Sequence, residues 1–252
     1  MKKVITLFLF NLILKQASAQ IVNIENSRMH SDTTGWMGGA NLDMSLSKND
    51  QNVFGTNLGA HLEYKTPDNR QMWLILGDYS FLKGGGQEFA SSAFSHFRYN
   101  VKIAKGVKWE AFTQLQNNKI TQIRSRFLLG TGPRFKLVKN KKLKMYVASL
   151  VMYEHETELT TPTITLNEVR SSSYFTFSWK PISTFELNST TFFQPLVNRF
   201  SDHRIMNEIG MNVKASKHFG MNIHWNYLFD SHPAGTAPHT TYTLSAGAGY
   251  NF

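Results

Sequence analysis

Three short stretches combine residue types that could do chemistry. Glu154-His155-Glu156 joins two carboxylates to an imidazole, the donor types a divalent metal takes. Ser95-His96 sets a hydroxyl beside a base, the beginning of a nucleophilic pair. Gly130-Thr131-Gly132-Pro133-Arg134 offers glycines and a cation, as a phosphate cradle would. Each depends on the backbone that carries it. On a strand, successive side chains point to opposite faces, so His155 turns away from both glutamates and Ser95 away from His96. A dinucleotide loop must open a helix, but Phe135 and Leu137 continue an alternating pattern. His61, His96 and His224 fall on polar faces without a shared ligand spacing. No catalytic residue, metal site or cofactor is therefore expected.

The remaining chemistry is charge on the polar faces of alternating segments. Arg98, Arg124, Arg126 and Arg134 fall there, as do Glu110, Glu154 and Glu156. Lys102, Lys108, Lys136, Glu63, Glu186 and Glu208 share that placement. Opposite charges confined together should pair, because an isolated desolvated charge is costly. A structural network is the first expectation, with Glu154 and Arg134 among its partners. A selectivity ring for a solute is the alternative.

Strands must position these groups, and the alternation that defines them recurs along the chain. Phe219, Met221, Ile223, Trp225, Tyr227 and Phe229 fall on one face, with Gly220, Asn222, His224 and Asn226 on the other. Leu244, Ala246, Ala248, Tyr250 and Phe252 repeat the pattern at the end of the sequence. Similar segments lie near 35–48, 53–65, 70–82, 88–104, 107–117, 120–138, 143–156, 169–180, 183–194 and 203–215. The total of about twelve is even, as in bacterial single-chain barrels. Segments of about 10–14 residues exceed the usual globular strand of about 5–6. Aromatic residues gather near segment ends, among them Trp36, Tyr64, Trp73, Trp109 and Trp179, as in interfacial girdles. Connections alternate between short turns, such as Lys105-Gly106, and longer stretches at 83–92, 157–167 and 231–239. The expected fold is all-β: an antiparallel transmembrane β-barrel of the bacterial outer membrane, with short periplasmic turns and longer outer loops.

The N-terminus matches that address. Lys2 and Lys3 precede an apolar run from Val4 to Leu14, and Ala17-Ser18-Ala19 fits a signal-peptidase site. Residues 1–19 are expected to be a signal peptide, 20–34 a lead-in and 35–252 the barrel. The sequence has no cysteine, which excludes disulfides, thiolate metal sites and a lipid-modified cysteine. Net charge is +10, but the lysines are scattered and 13% of residues are aromatic, which argues against a nucleic-acid binder. Leu244, Tyr250 and Phe252 form an apolar C-terminal strand face resembling the signal read by the barrel-assembly machinery. That machinery and outer-membrane lipids are the expected partners, and the oligomeric state stays open.

Several stretches resemble the family of putative salt-induced outer-membrane proteins, a domain family of unknown function. They are Gly35-Trp36-Met37-Gly38, Phe97-Arg98-Tyr99-Asn100, Trp109–Gln116, Arg126–Phe135 and Met152–Glu156, in that order. The resemblance implies an outer-membrane barrel and adds no catalytic residue. Pro133 departs from the family pattern, and a proline removes a ladder donor at that point. The expected role is a non-enzymatic structural or envelope-stress barrel with a narrow, charge-filled lumen. A passive channel for small solutes is the alternative. An outer-membrane lipid hydrolase is a third reading, requiring a serine–histidine pair near the outer rim.

Overall fold

The computed structural model describes residues 34–48, 50–216 and 218–250. The expected signal peptide at 1–19, the lead-in up to residue 33, and Phe252 lie outside the described residues.

Among the described residues twelve strands follow one another: β1 (Gly35–Lys48), β2 (Asn52–Lys65), β3 (Gln71–Gly84), β4 (Gln87–Ala104), β5 (Val107–Asn118) and β6 (Ile123–Lys139). Then come β7 (Leu143–Glu158), β8 (Thr165–Ile182), β9 (Phe185–Leu196), β10 (Arg199–Lys214), β11 (Phe219–Asp230) and β12 (Thr240–Tyr250). They form one sheet in sequence order, each strand antiparallel to the next. The shortest strand has 11 residues. At about 3.3 Å per residue it reaches roughly 36 Å, enough to cross a hydrocarbon layer about 30 Å thick at a tilt.

The two faces divide as the alternation requires. Outward positions carry exposed apolar side chains, among them Ile75, Leu115, Leu129, Val151 and Val169. Most inward positions in the middle of β3 to β10 are buried, although many are polar or charged. This inverts a soluble protein, in which exposed large apolar side chains are scattered and buried charges rare. It suits a sheet whose outer face meets lipid. Aromatic rings mark the turn end of that face. Trp36 on β1 packs against Tyr64 on β2 at 4.8 Å, Tyr64 against Trp73 on β3 at 5.6 Å, and Trp73 against Tyr99 on β4 at 5.4 Å.

Two local features depart from the simple pattern. The stretch 83–92 is not a long connection. β3 and β4 continue to a two-residue turn at Gly85 and Gly86, which have φ of 56° and 82°. These left-handed conformations suit a tight hairpin turn, and glycine adopts them at little steric cost. The 231–239 connection, by contrast, is as long as expected. At Pro133 the ladder is interrupted on one side. β6 pairs with β7 through Thr131–Val151 and Arg134–Ala148, while Gly132 and Pro133 have no ladder partner there. On the β5 side Trp109 still faces Pro133.

The lumen holds an apolar layer that the alternating pattern did not reveal. Phe112, Leu128, Leu150, Met152, Tyr174, Phe192 and Met206, from β5 to β10, pack into one buried cluster. Gly130 makes room for it, since a Cβ there would lie 2.3 Å from the Phe112 ring. Gly132 serves a different purpose. A Cβ on it would meet the Ser149 carbonyl oxygen at 2.4 Å, so the backbones of β6 and β7 approach closely at that point.

Candidate functional site in the lumen

Two charged clusters flank the apolar layer, and adjacent strands supply their members because every second side chain turns inward. On the loop side, Glu154 of β7 is 1% exposed and meets three arginines. Arg126 of β6 approaches it at 3.1 Å, Arg170 of β8 at 3.1 Å and Arg204 of β10 at 2.7 Å. Arg126 and Arg204 also bind Glu156, Arg204 at 3.4 Å. Arg170 extends the network to Glu168 at 2.6 Å and Asp202 at 3.0 Å, and Arg204 extends it to Asp230 at 2.8 Å. A planar guanidinium has five donors, so one arginine can bridge several carboxylates and satisfy groups that water cannot reach.

On the turn side, Glu110 of β5 is fully buried. Arg98 of β4 donates to it at 2.9 Å, and the Tyr174 hydroxyl, from β8, at 2.7 Å. Arg134 of β6 lies 3.9 Å from the same carboxylate, with its guanidinium 4.0 Å from the centre of the Tyr146 ring. Arg98 also donates to His96, which is sandwiched between Phe94 and Phe112 and bonded to Gln114. His96 is thus a packed internal residue, whereas His61 and His224 are exposed elsewhere.

The structure sorts the expected charge network into two clusters. Arg126, Glu154 and Glu156 meet in one, and Arg98, Glu110 and Arg134 in the other. Arg134 and Glu154, expected in one network, belong to different clusters with the apolar layer between them. Arg124 also departs from expectation. It is exposed at the start of β6, where pairing with β7 shifts between Ile123 and Ser125. That irregularity breaks the simple alternation that puts residues 124 and 126 on one face. Sequence reasoning missed Arg170, Arg204, Asp202 and Tyr174. Arg170 and Tyr174 share a parity on β8, as Asp202 and Arg204 do on β10, so the signal was present. What it lacked was contact between strands that are not adjacent. Leu244 and Tyr250 sit on the exposed outward face of β12.

The loop from 231 to 239 closes over the outer cluster. Gln122, between β5 and β6, donates to the Thr236 hydroxyl at 2.6 Å and accepts from the Thr236 amide at 3.1 Å. Ala234 and Ala237 are buried, and a space of only about 20 Å³ remains between this loop and Arg126, Glu156 and Arg204.

The same loop brings a serine and a histidine together at the rim. Ser231 Oγ lies 3.0 Å from His232 Nδ1, and Asp202 lies 3.9 Å from that same nitrogen. A hydrolytic relay needs the serine on one ring nitrogen and the carboxylate on the other. Ser231 Oγ also accepts the His203 amide at 2.8 Å, so the group is a loop anchor in this arrangement. Glu154 and Glu156 point inward and His155 pairs with Asn167 on the other face, which separates the three. At the turn end, the Thr66 hydroxyl and the Arg70 amide donate to Asp68 and hold its carboxyl below the usual carboxylate range.

The chain belongs to the family described as protein of unknown function, DUF481, whose model matches residues 40–252. No curated protein matches it in sequence. Among solved structures, the NanC porin aligns with a TM-score of 0.50 at 9% identity, over 86% of this chain and 99% of that one. The translocator domain of the autotransporter NalP from Neisseria meningitidis aligns at 0.46 with 10% identity, over 91% and 92%. The KdgM porin aligns at 0.42 with 7% identity, over 86% and 99%. The likeness to the NanC porin shows the fold, an outer-membrane-type β-barrel.

Proposed function

We propose that this chain is a non-enzymatic, integral outer-membrane barrel with a structural role, its lumen narrowed by internal bracing. In this reading the N-terminal segment directs export and is cleaved. The turn end faces the periplasm, and the 231–239 loop faces outward. Lipids meet the apolar outer face, and the barrel-assembly machinery inserts the chain. One observation carries the proposal: Arg204 on β10, beneath the 231–239 loop, reaches the buried Glu154 on β7. A contact between strands three apart, with an apolar layer below it, leaves that sector of the lumen little room for solute.

A passive channel is the second reading, and one observation favours it. Inward polar side chains on the opposite sector, including Asn41, Asp43, His61 and Asn222, are exposed. Conductance in planar bilayers separates the two. The braced reading expects small or no conductance steps from the parent, and larger steps when residues 232–238 are replaced by a short glycine linker. Stable, ion-selective steps from the parent would establish the channel instead.

A further inference from the structure

The two ends of the sheet are lined differently from its middle. A barrel brings these ends together, so β10 to β12 and β1 to β2 form one sector of the wall. Five ladder pairs there set a glycine directly opposite a polar residue, both on inward positions. They are Gly39–His61, Asn41–Gly59 and Ser45–Gly55 between β1 and β2, Gly210–His224 between β10 and β11, and Asn222–Gly247 between β11 and β12. In each pair the polar side chain lies across its glycine. A Cβ on Gly59 would stand 2.6 Å from Asn41 Oδ1, and one on Gly247 2.5 Å from Asn222 Oδ1. His61 and Ser45 come within 3.1 and 2.8 Å of the corresponding points on Gly39 and Gly55, and His224 within 3.6 Å of that on Gly210.

Glycine weakens a strand interior and marks places where something approaches the backbone closely. In the braced sector the Phe112–Gly130 pair uses this room to pack a ring into the apolar layer. In the open sector the glycines receive an amide, an imidazole or a hydroxyl instead, and Asn41, Ser45, His61, Asn222 and His224 remain exposed. These side chains line the wall without filling the space in front of it. At the turn end of the sector a cavity of about 450 Å³ is bordered by Asn212, Asn222, Gly220, Gly247 and Gly249, together with Lys214 and the Lys180–Glu186 pair. That volume falls within the range of small-molecule sites, about 300–1,000 Å³.

The chemistry of the wall selects the solute. An amide or a hydroxyl both donates and accepts, and a neutral imidazole does one at each nitrogen. Among the described residues, Asp43 is the one charge on the exposed inward positions of β1, β11 and β12. Such a surface matches vicinal hydroxyls, which also donate and accept, and offers an ion no ring of opposite charge. We propose that the open sector binds a neutral polyhydroxylated solute, a short saccharide, along its asparagine and histidine side chains. The proposal rests on the channel reading only in that this sector is open to solute, so its test reads binding and not current.

The experiment is titration calorimetry on the whole barrel, in a detergent without a sugar headgroup, with maltotriose and sulfated maltotriose as probes. Maltotriose binds the parent, and added salt leaves its affinity unchanged because no ion pair is screened. Asn41→Ala together with Asn222→Ala weakens binding by about tenfold, through the loss of two hydrogen-bonding groups. Both side chains are exposed, so the double variant melts close to the parent. Ser173→Ala, on the outward face of β8, keeps full binding. Bound maltotriose also raises the parent's melting temperature, a readout that needs no variant. Swelling of liposomes in maltotriose reads passage separately, so binding without swelling dismisses the channel and keeps the site. Absence of maltotriose binding to the parent, equal binding by the double variant, or tighter and salt-sensitive binding of the sulfated form overturns the proposal.

Discussion

Arg204 Nη1 lies 2.7 and 2.9 Å from the two carboxylate oxygens of Glu154, joining β10 to β7 with two strands between them. Pairing between neighbouring strands holds any sheet together. This contact instead ties parts of the wall that share no ladder, and both partners are buried. Arg126 and Arg170 converge on the same carboxylate. Glu154 is therefore the shared anion of three guanidiniums.

Glu154→Gln should leave those cations poorly compensated. Removing one partner from a buried ion cluster costs about 3–5 kcal/mol. Glu186→Gln should cost about 1 kcal/mol or less, because its partner Lys180 is half exposed at 3.5 Å. Melting of both variants in detergent checks this. Similar losses at the two sites would show that the lumen cluster is hydrated and weak.

Strand facing makes a second prediction, on β11. Ile223 lies on the outward face and Asn222 on the inward one, opposite Met211 and Asn212 of β10. Ile223→Arg should cost about 2–4 kcal/mol if the side chain sits near the membrane midplane. Asn222→Arg should cost much less, because its surroundings are open. Unfolding in urea from lipid vesicles measures both, and equal costs would reverse the facing assignment.

Glycines on inward positions should differ in sign. Gly130→Ala forces a Cβ against the Phe112 ring and should destabilise by about 1–3 kcal/mol, as overpacking does. Gly220→Ala meets only the Val213 carbonyl oxygen, at an ordinary 3.5 Å. It should be neutral or stabilise by up to about 1 kcal/mol through a less flexible unfolded chain. Thermal melts of the two single variants decide whether the Phe112 ring fills the space the structure assigns to it.

Insertion supplies a prediction at the C-terminus. Leu244 and Tyr250 lie on the outward face of β12, and Phe252 continues that parity in the sequence. Deleting Phe252 should reduce the amount of folded barrel in the outer membrane. Heat-modifiable electrophoretic migration of membrane fractions measures it, and an undiminished folded band would dismiss the signal role.

Alternation by itself determined much of this protein. A period of two over long segments implied strands, their outward faces and their approximate ends, because side chains on an extended backbone must alternate. The same parity placed Glu154, Glu156, Glu110, Arg98, Arg126 and Arg134 inside. It failed at Arg124, where one irregular step in pairing turns a side chain outward, and at Gly85-Gly86, where glycines make a hairpin of an apparent loop. Only the tertiary structure decided which inward groups meet. Partners such as Tyr174 and Glu110 are 64 residues apart, on strands that share no ladder. Their contact depends on how the sheet curves, which no local pattern encodes. The same curvature brings scattered inward apolar residues, Phe112, Leu150 and Phe192 among them, into one layer between two charged clusters.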